Sequence, residues 1–138
     1  MVVRIVIAVL ILATVGGVAL VMRRRPPEPP PRDVYPTPKQ LDRADFPRPE
    51  APWLVVLFTS RSCDSCAGLR DKAAALESDE VAVTEVEYFA RPELHERYHV
   101  EAAPMTLIAD ADGVVRVSFV GAFAAPELWT AVAELRAS

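Results

Sequence analysis

Trp53-Leu54-Val55-Val56-Leu57-Phe58-Thr59 runs directly into Ser60-Arg61-Ser62 and then into Cys63-Asp64-Ser65-Cys66. The first seven residues are a continuous apolar, β-prone run, the pattern of a strand buried on both faces of a parallel sheet. The serines break it, and the pattern beyond them predicts a helix over 63–77. Two thiols three residues apart at a helix start can close a disulfide across one turn. There the first thiol meets unpartnered N–H groups and the positive end of the helix dipole, both of which stabilise a thiolate. The thiolate is the attacking species in disulfide exchange, so this placement favours redox chemistry. A cysteine pair with two residues between, set between a strand and a helix, is the strongest chemical signal in the chain.

Downstream, 81–88 reads as a second strand. Pro92 opens a short helix to about Tyr98, since proline suits a first helical turn. Residues 105–109 and 114–119 read as strands joined by Asp110-Ala111-Asp112-Gly113, a hairpin turn. Pro126 and Glu127 open a last helix with Leu128, Val132 and Leu135 on one face. The order β-α-β-α-β-β-α describes an α/β sandwich with a mixed sheet, occupying 51–138.

Upstream, eighteen uncharged residues (5–22) lie between Arg4 and Arg23. As a helix they would span about 27 Å, close to the hydrocarbon core of a bilayer. We therefore expect a single-pass transmembrane anchor over 1–25, with a cleaved signal peptide as the competing reading. Arg23, Arg24 and Arg25 follow the apolar run, so the positive-inside rule leans toward a cytoplasmic C-terminal part, with the outside as the alternative. Residues 26–50 read as a proline-rich, semi-rigid linker. Within it, 41–46 is expected to add a short edge strand.

The whole chain has 138 residues, 51% of them hydrophobic and 25% charged, which excludes a wholly disordered chain. Its net charge of −4 is unevenly spread. Residues 1–50 carry eight Lys/Arg against five Asp/Glu, and 51–138 carry seven against fourteen. A domain so acidic is unsuited to binding nucleic acid. Two cysteines exclude a disulfide-stapled scaffold and a four-cysteine zinc site.

Over 52–138 the chain resembles the thioredoxin family. The matching features are the apolar strand into Cys63-Asp64-Ser65-Cys66, Ala103-Pro104-Met105-Thr106 before a strand, a Gly-containing hairpin, and Val120-Gly121-Ala122 before the final helix. The resemblance implies a three-layer sandwich and thiol-disulfide exchange with a protein substrate and a redox partner protein, with no dissolved cofactor. It implies Cys63 as nucleophile, Cys66 as resolving thiol, and Pro104 as a cis-proline shaping the substrate groove. Three positions depart from thioredoxins proper. Ser62 replaces a Trp, Asp64-Ser65 replaces Gly-Pro, and Leu57 replaces the buried acid that handles the resolving thiol's proton.

Counted back without gaps from Pro104, Glu85 falls where the family has a Lys close to that acid. It is thus a candidate proton acceptor; the plainer reading is a solvated strand residue paired with Glu87. Two other functions are weighed. One is a protein-binding module whose cysteines are idle. The other is a structural zinc site formed by Cys63, Cys66, His95 and His99, although the two His read more simply as surface residues.

Overall fold

A computed structural model describes residues 1–24 and 35–138, with side chains described for 1–18 and 35–138. The expected linker therefore falls partly, at 25–34, outside the described residues. The chain forms two units, 1–30 and 31–138, which are considered separately.

In the first unit, α1 (Val2–Arg24) is a continuous helix. Its large apolar side chains up to Val18 are all more than half exposed. Thr14 Oγ1 donates to the carbonyls of Leu10 and Ile11, so its hydroxyl is satisfied within the helix. The expected transmembrane helix is not met here: among the described residues, no helix is long and apolar enough to cross a membrane. The apolar run with described side chains, 5–18, covers fourteen of the eighteen residues counted in the sequence, and a span needs about twenty.

The second unit is built on β1 (Trp53–Thr59), β2 (Val81–Glu87), β3 (Met105–Ala109) and β4 (Val115–Val120). They lie in the order β2-β1-β3-β4. β1 and β2 are parallel, and β1–β3 and β3–β4 are antiparallel, so the sheet is mixed as expected. β1 is central, and it is buried from Leu54 to Thr59. Its alternation divides the core. Leu54, Val56 and Phe58 join Leu94, Tyr98 and Leu107 on the side of α3 (Pro92–Arg97). Val55 and Leu57 join Leu69, Ala73, Leu128 and Val132 on the side of α2 (Cys66–Ala74) and α4 (Ala125–Ala137). A helical layer on each face makes the three-layer sandwich. Trp129 is 44% exposed, and its indole N–H donates to the Lys72 carbonyl to tie α4 to α2.

The hairpin forms as read. Asp110 Oδ1 accepts from the N–H groups of Asp112 and Val114, and Gly113 turns the chain at φ +80°. An added Cβ at Gly113 would strike the Leu41 carbonyl oxygen, so glycine is required there by space as well as by dihedral.

Residues 39–50, expected as linker with an edge strand, and Ala51 after them behave differently. Leu41 N–H donates to the Gly113 carbonyl and Val115 N–H to that of Lys39, and the pairing stops after a single bridge between Gln40 and Val114. The chain then makes a 3-10 turn (Arg43–Asp45), capped by the Asp42 carboxylate on the Ala44 N–H. Leu41, Phe46 and Ala51 are buried in the α3-side core. This segment is a strap over the sheet, because three spaced apolar residues and a buried Arg43 hold it there.

Candidate active site

The paired cysteines lie where β1 gives way to α2. Helix α2 begins at Cys66, three residues later than the expected start at Cys63. The delay arises from a turn: Cys63 N–H donates to the Ser60 carbonyl, and Cys66 N–H in turn donates to that of Cys63. Cys63 thus stands just ahead of the first helical turn. The two residues are disulfide-bonded, with Cα atoms 5.5 Å apart. They are unequally shielded, Cys63 being half-buried while Cys66 is 3% exposed beneath the helix. Cys63 Sγ also lies 3.6 Å from Ser65 Oγ.

Pro104 is buried at the start of β3, and the Ala103–Pro104 bond is cis. The Pro104 carbonyl accepts from Gly121 N–H across the β3–β4 pair.

Leu57, where the family has an acid, is 1% exposed and sits in a cross-strand row between Glu85 on β2 and Thr106 on β3. The position is apolar, and polar residues flank it on both neighbouring strands. Glu85 is not the solvated residue of the plainer reading. Its Oε1 accepts from Thr59 Oγ1 at 2.6 Å and from Arg70 Nη2 at 2.7 Å, and Arg70 Nε lies 2.6 Å from Oε2. With both oxygens engaged, Glu85 braces β1, β2 and α2 together, and neither cysteine is among its hydrogen-bond partners. The proton-acceptor expectation thus gains no contact in this structure, because Arg70, one turn beyond Cys66, takes the carboxylate instead.

Glu87, on the same face, carries a role the sequence did not reveal. It accepts from the N–H groups of Arg61 and Ala90, which fixes the loop leading into Cys63. Partial burial pushes its carboxyl up, but the N–H groups of Phe89, Ala90 and Arg61 and the Arg61 guanidinium outweigh this, leaving it below the ordinary carboxylate range. The Arg61 guanidinium lies 4.6 Å from the centre of the Phe89 ring.

The zinc reading fails on placement. His95 is buried rather than on the surface: it is 4% exposed, with Nε2 2.9 Å from the Val86 carbonyl oxygen. Its ring meets Phe58 and Tyr88 edge-on at 5.1 and 5.2 Å. It shares the inward face of α3 with Leu94, and periodicity on so short a helix gave too little signal to show this. His99 is exposed, and Cys63 and Cys66 are bonded to each other. Among the described residues, no group of three or more His, Cys, Asp and Glu is placed to hold a metal ion.

A mixed four-stranded sheet between two helical layers, with a cysteine pair at the β1–α2 junction and a cis-proline at the start of β3, defines the thioredoxin fold with its Cys-x-x-Cys motif. Solved structures agree on the fold. A mutant thioredoxin from Halobacterium salinarum is 21% identical, with a TM-score of 0.54 over 62% of this chain and 75% of that one. The germline-specific thioredoxin Deadhead from Drosophila melanogaster is 23% identical, with a TM-score of 0.55 over 63% and 84%. Mitochondrial thioredoxin 3 from Saccharomyces cerevisiae, in its oxidized form, is 18% identical, with a TM-score of 0.52 over 62% and 80%. No protein-family model and no curated protein matches the chain.

Proposed function

We propose that this chain is a membrane-anchored thiol-disulfide oxidoreductase acting on protein substrates. The observation that supports it most is the Cys63–Cys66 disulfide between β1 and α2, one thiol accessible and the other shielded. In the reductive direction the Cys63 thiolate attacks a substrate disulfide. A Cys63–substrate bond forms, the substrate S–S bond breaks, and one substrate thiolate leaves. Cys66, as thiolate, then attacks the Cys63 sulfur; the internal disulfide re-forms, and the second substrate thiolate leaves. Two electrons pass from the cysteine pair to the substrate, and a partner dithiol returns them by the same exchange. Pro104 lines the groove in which the substrate sulfur meets Cys63. The test is insulin reduction by the full chain in non-ionic detergent, with dithiothreitol as electron source. Insulin should be reduced several-fold faster than by dithiothreitol alone. A rate no higher than that of dithiothreitol alone would leave a protein-binding module with idle cysteines.

The anchor is supported by the apolar run 5–22, by the exposed side chains of α1, and by Thr14, whose self-satisfied hydroxyl suits a medium without water. The Arg23–Arg25 cluster supports a cytoplasmic domain. The full chain should stay with membranes after alkaline carbonate extraction. A reporter active only outside the cytoplasm, fused after Ser138, should remain silent. Release by carbonate would remove the anchor, and an active reporter would move the domain to the other side.

A further inference from the structure

A cleft opens beside the disulfide loop on the α3 side of the domain. One cavity, of about 410 Å³, begins at Ser60, three residues before Cys63, and ends at Ala102 and Ala103, which lead into Pro104. A second, of about 330 Å³, continues past Pro92, Glu96 and His99. The two share Tyr88, His95, Val100 and Glu101 as walls, so they form one continuous channel leading away from the cysteines. Tyr88 is 46% exposed in it, and Phe89, edge-on to Tyr88 at 5.3 Å, is 55% exposed. Tyr88 is therefore exposed aromatic area in the cleft that an extended chain can cover, while the Phe89 ring is faced by the Arg61 guanidinium.

Charge decides what that chain carries. Six of the fourteen acidic side chains of the domain, Glu77, Glu80, Glu85, Glu87, Glu93 and Asp110, each face an arginine. Glu96 and Glu101 line the cleft, are exposed, and have no ion-pair partner among the described residues. The neighbouring arginines are engaged elsewhere, Arg91 with Glu93 and Arg97 with Asp42 and Asp45. Asp64, inside the cysteine motif, is likewise exposed and without an ion-pair partner among the described residues.

We propose that this cleft receives the substrate polypeptide and selects segments carrying Lys or Arg close to the disulfide, an inference that rests on the oxidoreductase reading. The aliphatic stem of such a side chain lies along Tyr88, and its cationic head reaches Glu96 or Glu101. The same carboxylates repel acidic segments, and the acidic domain steers basic ones toward the site.

The test uses the full chain in non-ionic detergent and three peptide disulfides that differ at one flanking residue: Lys, Gln or Glu. kcat/KM should fall in the order Lys, Gln, Glu, by about tenfold from first to last at low salt, and the spread should shrink in 0.5 M salt. The double variant Glu96→Gln, Glu101→Gln should lose the preference, and Glu96→Lys, Glu101→Lys should invert it. The melting temperature of each variant checks that it is folded. Equal rates on all three peptides, or a preference that survives both double variants, would overturn the cleft assignment while leaving the oxidoreductase reading in place. Exchange with none of the peptides would overturn that reading and the inference with it.

Discussion

A Cys66→Ser chain accumulates a mixed disulfide between Cys63 and its substrate, whereas a Cys63→Ser chain accumulates none and turns nothing over. This expectation follows from the unequal burial of the pair. Cys63, half-buried in the turn before α2, presents its sulfur to a partner, and Cys66, 3% exposed, is reached only through Cys63. With Ser at 66, attack proceeds and release stops, so the covalent intermediate persists. With Ser at 63, the remaining thiol is shielded and has no route to substrate. Insulin reduction should fall by on the order of a hundredfold or more in both variants, since two-thiol exchange is lost in each. The difference lies in the adduct, read by thiol trapping and non-reducing gels. Adducts mainly on Cys63→Ser would reverse the roles, and adducts on neither would favour the binding-module reading.

The parts of this domain that were legible in the sequence are those in which one physical signal dominates. The run Trp53–Thr59 has no polar residue before its last position, and such a segment must be covered on both faces. It became the central strand with every position from Leu54 buried. Asp110 and Gly113 hold a hairpin by local hydrogen bonds and a left-handed dihedral, both of which depend on adjacent residues only. The cysteine pair stands out by its spacing between strand and helix, and Pro104 through the resemblance to the thioredoxin family. Other features depend on contacts far apart in the chain, and these were hidden. The sequence points to a start of α2 three residues early because the Ser60–Cys63 turn carries the same polar residues as a helix N-terminus. The inward place of His95 is hidden because a six-residue helix shows too little periodicity to distinguish its inward face. The sequence allows Glu85 as a proton acceptor or as a solvated partner of Glu87. Each instead meets an arginine from a different element, Arg70 from α2 and Arg61 from the loop before Cys63. Composition assigned 39–50 to the linker, because prolines and charges outnumber Leu41 and Phe46 there. Two apolar side chains and one arginine were enough to hold the segment against the sheet.

That arginine leads to the largest expected change in stability. Arg43 is 8% exposed, yet it ranks among the most connected side chains of the strap. Its Nη1 donates to the Asp110 carbonyl at 2.8 Å, and its Nη2 donates to those of Ala51 at 2.8 Å and Arg48 at 3.2 Å. Burial pushes the guanidinium down from its ordinary value, while Asp110 and Glu50 oppose this. One cation therefore joins both ends of the strap to the turn between β3 and β4. Arg43→Ala removes all three bonds; the Asp110 and Arg48 carbonyls keep the N–H groups of Gly113 and Ala51, but the Ala51 carbonyl loses its Arg43 donor, for a total cost of about 3 kcal/mol. For a domain of roughly 100 residues this lowers Tm by on the order of 15 °C. Arg97→Ala is the informative contrast. Arg97 also holds the strap, through Asp42 and Asp45, but it is 52% exposed, and a solvent-screened pair contributes less than about 1 kcal/mol. Calorimetry of the two variants should separate them clearly, with Cys63–Cys66 exchange retained in each below its own Tm. An Arg43→Ala chain melting within about 2 °C of the unaltered protein would mean that the strap is held without Arg43.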